Sequence, residues 1–176
     1  MSRAWISLGS NIAPERHVVM ALELLAGDFG PLVCSPVYRT PAVGFDGEDF
    51  LNMVVGIDTA LAPHALARRL RDIEDRCGRV RGGARFSART LDLDVLTYDD
   101  VILDGDGLVL PRPEILEQAF VLGPLADVAP NELHPVRRAT YAALWREMQA
   151  PPLTPCALPA LEAMRRDGRI LATATN

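Results

Sequence analysis

Cysteine is scarce in this chain of 176 residues: Cys34, Cys77 and Cys156 are its three thiols, widely spaced, with no pair at metal-finger spacing. That rules out a disulfide framework or a zinc finger as the organising device. The thiols read as reduced groups of an intracellular protein, with Cys77 as a small packing residue near a helix end. No run of about 18 apolar residues is present, the length a bilayer crossing requires. The N-terminus enters directly into the strand-like Ala4-Trp5-Ile6-Ser7-Leu8, without the basic and apolar regions of a secretory leader. A cytoplasmic location is therefore the expectation. An excess of positive charge is missing as well: the net charge is -5 and the pI is near 5.2. Affinity for nucleic acid or an anionic membrane surface comes mainly from a cationic surface, so neither is an expected partner. Aromatics make up 6% of the chain, and no strand carries the aromatic-rich pattern of a base-stacking RNA-binding sheet.

What is present suits one domain. Period-2 and period-3.6 patterns predict a strand over Arg3 to Leu8, a helix from Pro14 to Gly27, strands over Leu32 to Arg39 and Phe50 to Thr59, a helix over Pro63 to Arg76 and a strand over Leu91 to Tyr98. Val18, Leu22 and Leu25 form one face of the first helix, with Pro14 in its first turn and Gly30 past its end; Leu66, Leu70, Ile73 and Cys77 do the same for the second. The order β-α-β-β-α-β predicts an α+β fold, a ferredoxin-like sandwich with an antiparallel sheet, both helices on one face and the other face free to carry a site. A hairpin is expected around Gly105-Asp106-Gly107, then a helical turn near Glu114 to Gln118 and an amphipathic helix over Ala139 to Met148. Residues 1–150 read as the domain. Pro151 to Pro155 reads as a stiff linker, and the remainder as a short helix with a frayed end.

The densest chemistry lies in Arg85-Phe86-Ser87-Ala88-Arg89-Thr90-Leu91-Asp92-Leu93-Asp94-Val95-Leu96. On a strand, alternate side chains share a face, so Asp92 and Asp94 project together. Two carboxylates on one face suit Mg²⁺, which usually takes one or two carboxylates plus substrate phosphates and water; Arg85 and Arg89 are placed to pair with phosphate oxygens. Charged gatekeepers on an edge strand would explain the acids but not the nearby arginines and aromatic. Arg79, Arg81, Gly82 and Gly83 extend the basic stretch upstream. The segment from Thr40 to Asp49 is a loop of about ten residues, a length often found in lids. Phe50 and Asn52 share a face at i, i+2 spacing, one a flat apolar wall and the other an amide that both donates and accepts; Phe50 alone would read as a core aromatic. Glu74, beside the apolar stripe of its helix, would by itself be a solvated acid, and Gly9-Ser10-Asn11 a turn with an Asn cap.

These motifs carry a resemblance. Arg89-Thr90-Leu91-Asp92-Leu93-Asp94, with Leu8-Gly9-Ser10-Asn11, Tyr38-Arg39-Thr40-Pro41, Phe50-Leu51-Asn52, Ile73-Glu74, Gly78-Arg79-Val80-Arg81 and Phe120-Val121-Leu122 followed by Pro124-Leu125, resembles the hydroxymethyldihydropterin pyrophosphokinases of folate biosynthesis over Met1 to Met148. The resemblance implies transfer of pyrophosphate from ATP to 6-hydroxymethyl-7,8-dihydropterin by a monomer. It implies that Phe50 and Phe120 sandwich the pterin and Asn52 reads its edge, with Thr40, Pro41 and Val43 completing recognition. Phe86 would stand on a second mobile loop. Arg79, Arg81, Arg85, Arg89, Arg112 and Glu74 would contact ATP, with Arg79 and Arg89 also catalytic, and Asp92 and Asp94 would hold two Mg²⁺ ions. Gly9-Ser10-Asn11 would be scaffold. Two positions depart from the pattern: Pro111-Arg112-Pro113 stands where relatives usually read Pro-His-Pro, and Gln118 where an arginine is usual. The alternative they raise is a diverged paralogue that binds pterin or nucleotide with weak transfer. His17, His64 and His134 read as structural or solvent-facing.

Overall fold

The computed structural model describes residues 1–42, 46–78 and 90–173. Its centre is a split β-α-β arrangement made twice. Strand β1 (Ser2–Ser10) leads through helix α1 (Pro14–Phe29) to β2 (Leu32–Cys34) and β3 (Tyr38–Thr40); β4 (Phe50–Thr59) leads through α2 (Pro63–Arg76) to β5 (Asp92–Tyr98). The strands lie in the order β5-β1-β4-β2, each antiparallel to its neighbour. Period-2 patterning explains the packing: Ala4, Ile6 and Leu8 of β1 and Met53, Val55 and Ile57 of β4 are all buried in one core, covered by the Val18, Leu22 and Leu25 stripe of α1 and the Leu66, Leu70 and Ile73 stripe of α2.

Four expectations are corrected. The sheet is mixed, because β9 (Ile170–Leu171) adds to β2 in parallel. The second face is not free of helices: α4 (Ala119–Val128) and α5 (Tyr141–Met148) cover part of it over a separate core that includes Trp5, Val54, Leu96, Leu122 and Tyr141. A short α3 (Glu114–Glu117) precedes them. Helix α4 escapes sequence reading because it is buried nearly all round and so shows no amphipathic stripe, and because it contains Gly123 and Pro124. Gly123 is required there, since a Cβ would come within 2.8 Å of Leu153 and 3.0 Å of Trp145.

The third correction concerns the strand expected over Leu32 to Arg39, which is two strands. From Cys34 to Tyr38 the chain advances four residues while its partner β4 retreats three, from Val55 to Asn52. The extra residue is a bulge at Ser35-Pro36, where Pro36 has no N–H to give and the Ser35 hydroxyl accepts from Val54 N at 2.9 Å. A one-residue slip turns every following side chain to the opposite face. Tyr38 and Thr40 therefore stand opposite Asn52 and Phe50, on the second face rather than in the main core.

Lastly, Asn11 does not cap α1. The cap position is Ala13, with no side-chain hydrogen bond, and β1 runs on to Ser10. The hairpin β6 (Leu103–Gly105) and β7 (Leu108–Leu110) forms as expected, with positive φ at both Asp106 and Gly107, the signature of a type I′ turn. Residues after Met148 return to the sheet. Strand β8 (Thr154–Pro155) pairs with β3, and α6 (Pro159–Arg166) places Leu161 and Met164 in the main core before β9. No helix of the described residues is long and apolar enough to cross a membrane.

Candidate active site

The part of the second face that α4 and α5 leave open among the described residues is built on the C-terminal end of β1 and the N-terminal ends of β4 and β5. The register sets its geometry. Gly9 is the Cα partner of both Asn52 on one side and Asp92 on the other, and Ser7 is likewise flanked by Val54 and Asp94. Strand spacing puts Asn52 and Asp92 two strands apart, about 10 Å. Gly9 is the floor between them: a Cβ there would come within 2.9 Å of the Asn52 Oδ1 and 3.9 Å of the Phe50 ring. Sequence reading took Gly9 as scaffold, and its role shows only in the cross-strand register.

At the β4 end, Asn52 is buried and its Nδ2 donates to Thr40 Oγ1 at 2.6 Å. This side-chain bond exists because the bulge turned Thr40 onto this face. Phe50 is half-buried beside Asn52 at the strand's start, Phe120 is half-buried in the first turn of α4, and Pro41 is exposed. Tyr38 extends the same row and its hydroxyl donates to Asp127 Oδ2 of α4 at 2.6 Å, tying β3 to the covering helix.

At the β5 end, Asp92 and Asp94 share the face, each half-buried. Burial, and next the charge of Asp92, push the Asp94 carboxyl up to about 7, against the lowering influence of Arg112; Glu74 and Glu114 raise it further. Arg112 Nη1 lies 3.5 Å from Asp94 Oδ1, while its Nε lies 3.1 Å from Glu114 Oε2. Glu74 is not a solvated acid: it is buried, and its Oε1 accepts the Leu93 backbone N–H at 2.7 Å, fixing the strand between the two aspartates from its outer edge. Glu114 had not been singled out; its signal was an acid two residues after Arg112 across Pro113.

Two tethers hold this end to β1. Ser10 Oγ donates to Thr90 O at 2.5 Å, and Asn11 Nδ2 donates to Glu48 O at 3.2 Å, so the strand end anchors the segments that enter both β5 and β4. Val43, Arg79, Arg81, Arg85, Phe86 and Arg89 lie outside the described residues. The histidines stand elsewhere. His134 is buried, its Nδ1 accepting from Val136 N and Arg137 N at 3.2 and 3.1 Å, which fits a structural role.

Chemically, one end offers a buried amide beside an aromatic face, suited to a flat heterocycle with hydrogen-bonding edges. The other is an acidic pair in which burial, and next the neighbouring carboxylate, raises a carboxyl pKa, which fits a hard cation. Among the described residues no group of three or more His, Cys, Asp or Glu forms a closed cage. A cation held here by two carboxylates would have to complete its shell from water and substrate oxygens, the usual habit of Mg²⁺.

Residues 5–130 match the family model described as 7,8-dihydro-6-hydroxymethylpterin-pyrophosphokinase (HPPK). The chain is 44% identical over 135 residues to a 2-amino-4-hydroxy-6-hydroxymethyldihydropteridine pyrophosphokinase of Methylorubrum extorquens, covering 74% of this chain and 85% of the relative. It is 38% identical over 129 residues to the protein of the same name in Bacillus subtilis, covering 71% and 77%. Among solved structures, the wild-type HPPK-DHPS of Plasmodium falciparum with STZ-DHP superposes with a TM-score of 0.65 at 15% identity, a likeness of fold. It covers 84% of this chain and 41% of that one, so the chain spans less than half the length of that structure.

Proposed function

The chain belongs to the 7,8-dihydro-6-hydroxymethylpterin-pyrophosphokinase family, and from that premise we propose that it transfers pyrophosphate from ATP to 6-hydroxymethyl-7,8-dihydropterin, giving AMP and the pterin diphosphate used in folate synthesis. The observation that carries the reading is the pairing of Asn52 and Asp92 across Gly9. A heterocycle seated at Asn52 and a triphosphate gathered at Asp92 and Asp94 would lie about two strand spacings apart on one face. That leaves room for a hydroxymethyl arm to meet a phosphate between them.

In this reading Phe50 and Phe120 bound the pterin ring and Asn52 reads its edge, with its orientation set by Thr40; Pro41 and Val43 complete the seat, and Phe86 belongs to a closing loop. The substrate hydroxyl oxygen forms the new bond to the β-phosphorus as the bond to the α-phosphate oxygen breaks. The hydroxyl proton passes to solvent and AMP leaves. Two Mg²⁺ ions at Asp92 and Asp94 would neutralise phosphate charge and orient the hydroxyl. Arg79, Arg81, Arg85, Arg89 and Arg112 pair with phosphate oxygens, and Glu74 lines the nucleotide side while fixing β5. Catalysis is positioning and charge neutralisation, with no covalent intermediate on the protein. The strand order β5-β1-β4-β2 with two crossing helices supports the ferredoxin-like reading of residues 1–150, and we take 151–173 as a brace on β2 and β3. We place the protein in the cytoplasm as a monomer, consistent with three free thiols.

The test is to incubate the protein with ATP, Mg²⁺ and the hydroxymethyldihydropterin and to measure AMP. AMP formation that needs both pterin and metal is the expected result. Pterin binding without AMP would overturn it in favour of a diverged binding paralogue, the reading that the Arg112 pairing with Asp94 keeps in play.

A further inference from the structure

The cationic side chains of this protein other than histidine are all arginine, and several of the described ones pair away from the site: Arg3 with Asp58, Arg69 with Asp28, Arg169 with Asp167. Arg112 pairs inside it, with two acids at once: its Nε is 3.1 Å from Glu114 Oε2 and its Nη1 is 3.5 Å from Asp94 Oδ1, and neither contact is a hydrogen bond, so both are held by charge. Both side chains of the Asp94 pair are about a third exposed, at 32% and 33%, so that attraction is modest and easily exchanged. The Arg112 backbone cannot follow such an exchange. Its N–H donates to Leu96 O at 2.8 Å, its carbonyl accepts from Ile115 N at 3.2 Å, and prolines 111 and 113 flank it. With the backbone fixed and both contacts purely ionic, the guanidinium can stay beside Glu114, the nearer acid, while its Nη1 end changes partner.

Among the described residues Asp94 faces Asp92, Glu74 and Glu114, with Arg112 as a countering cation. We propose that Arg112 is an internal counter-ion, occupying Asp94 until a divalent cation replaces it, and that the freed Nη1 end then turns to the nucleotide phosphates. The protein would thus take metal poorly by itself and well together with nucleotide. This rests on the reading of Asp92 and Asp94 as metal ligands.

A residue with a merely structural role would not move metal and nucleotide affinities in opposite directions. The experiment titrates Mn²⁺ into the nucleotide-free protein, followed by electron paramagnetic resonance. It then titrates a non-hydrolysable ATP analogue at saturating Mn²⁺, with circular dichroism to verify folding. Arg112→Gln is expected to bind Mn²⁺ alone about three- to fivefold more tightly, the equivalent of a partly exposed ion pair, and the analogue about tenfold more weakly. Arg112→Lys keeps the charge and is expected to bind Mn²⁺ alone within about twofold of the natural protein. Equal or weaker Mn²⁺ binding by Arg112→Gln, or a gain in Arg112→Lys as large as that in Arg112→Gln, would overturn the counter-ion role. Asp94→Asn separates the two ideas: if it binds Mn²⁺ as well as the natural protein, the underlying metal reading fails instead.

Discussion

The two ends of the open face are built from the same material, side chains on neighbouring strands around one glycine, yet their energetics are opposite. At the β4 end the polar groups satisfy each other: Asn52 donates to Thr40 and Tyr38 donates to Asp127. At the β5 end like charges gather: Asp92 and Asp94 face each other's charge with Glu74 and Glu114 close by, and Arg112 is shared between Asp94 and Glu114. A satisfied network is rigid and ready to read a ligand's shape, whereas neighbouring carboxylates repel one another and an arriving cation relieves that repulsion. One face thus combines a preformed seat with a site completed by its ligands.

The largest expected break in this contrast is at the acidic end. Asp92→Ala or Asp94→Ala should lower turnover by about a thousandfold or more, the equivalent of several kcal/mol of lost charge stabilisation, without lowering the melting temperature. AMP formation and thermal melting measured together check both halves; full turnover in either variant would remove the metal assignment. At the satisfied end, Asn52→Ala should weaken pterin binding by about 30- to 100-fold by calorimetry while leaving Mn²⁺ binding unchanged, since it removes the reading amide and strands the Thr40 hydroxyl. Gly9→Ala should cost about tenfold in pterin affinity, because its Cβ would press on Asn52 Oδ1 at 2.9 Å and the buried amide must shift.

Two smaller effects concern stability. Glu74→Ala leaves the Leu93 N–H without its acceptor and should cost about 1–3 kcal/mol in denaturant unfolding; Glu74→Gln, which keeps an acceptor oxygen, should cost less. The pH dependence follows from Asp94. Its folded pKa, about 7, is raised above the ordinary 3.8, so the folded state binds the proton more tightly than the unfolded chain. Stability from this group is complete below about pH 4 and is lost as pH rises through about 7. In metal-free buffer, Asp94→Asn should therefore melt higher than the natural protein at pH 8, with the gap narrower at pH 5 and closing below about pH 4. An equal gap at both values would show that Asp94 does not titrate in that window.

Much of this was legible in the residues. Leu93 and Val95 alternate with Asp92 and Asp94, which fixes the acids on one face, and Phe50 and Asn52 obey the same rule, because strand geometry is local. The stripes of α1 and α2 and the Gly105-Asp106-Gly107 turn were readable for the same reason. The Thr40 bond to Asn52 was not, because it depends on a bulge whose hydroxyl partner, Val54, lies nineteen residues away in the chain. Glu74 looked solvated because helix periodicity cannot reveal that the edge N–H of another strand waits beside it. Helix α4 was hidden by its own burial.

By itself the sequence determined which residue types were available and which of them share a strand or helix face, and the order of its motifs carried the family resemblance. Tertiary structure decided which faces meet. It set Gly9 between Asn52 and Asp92, turned Thr40 inward, brought residues 151–173 back onto β2 and β3, and laid Arg112 between Asp94 and Glu114. The physical reason is range: periodicity and turn chemistry act over a few residues, while register, desolvation and charge pairing act between segments that only folding makes neighbours.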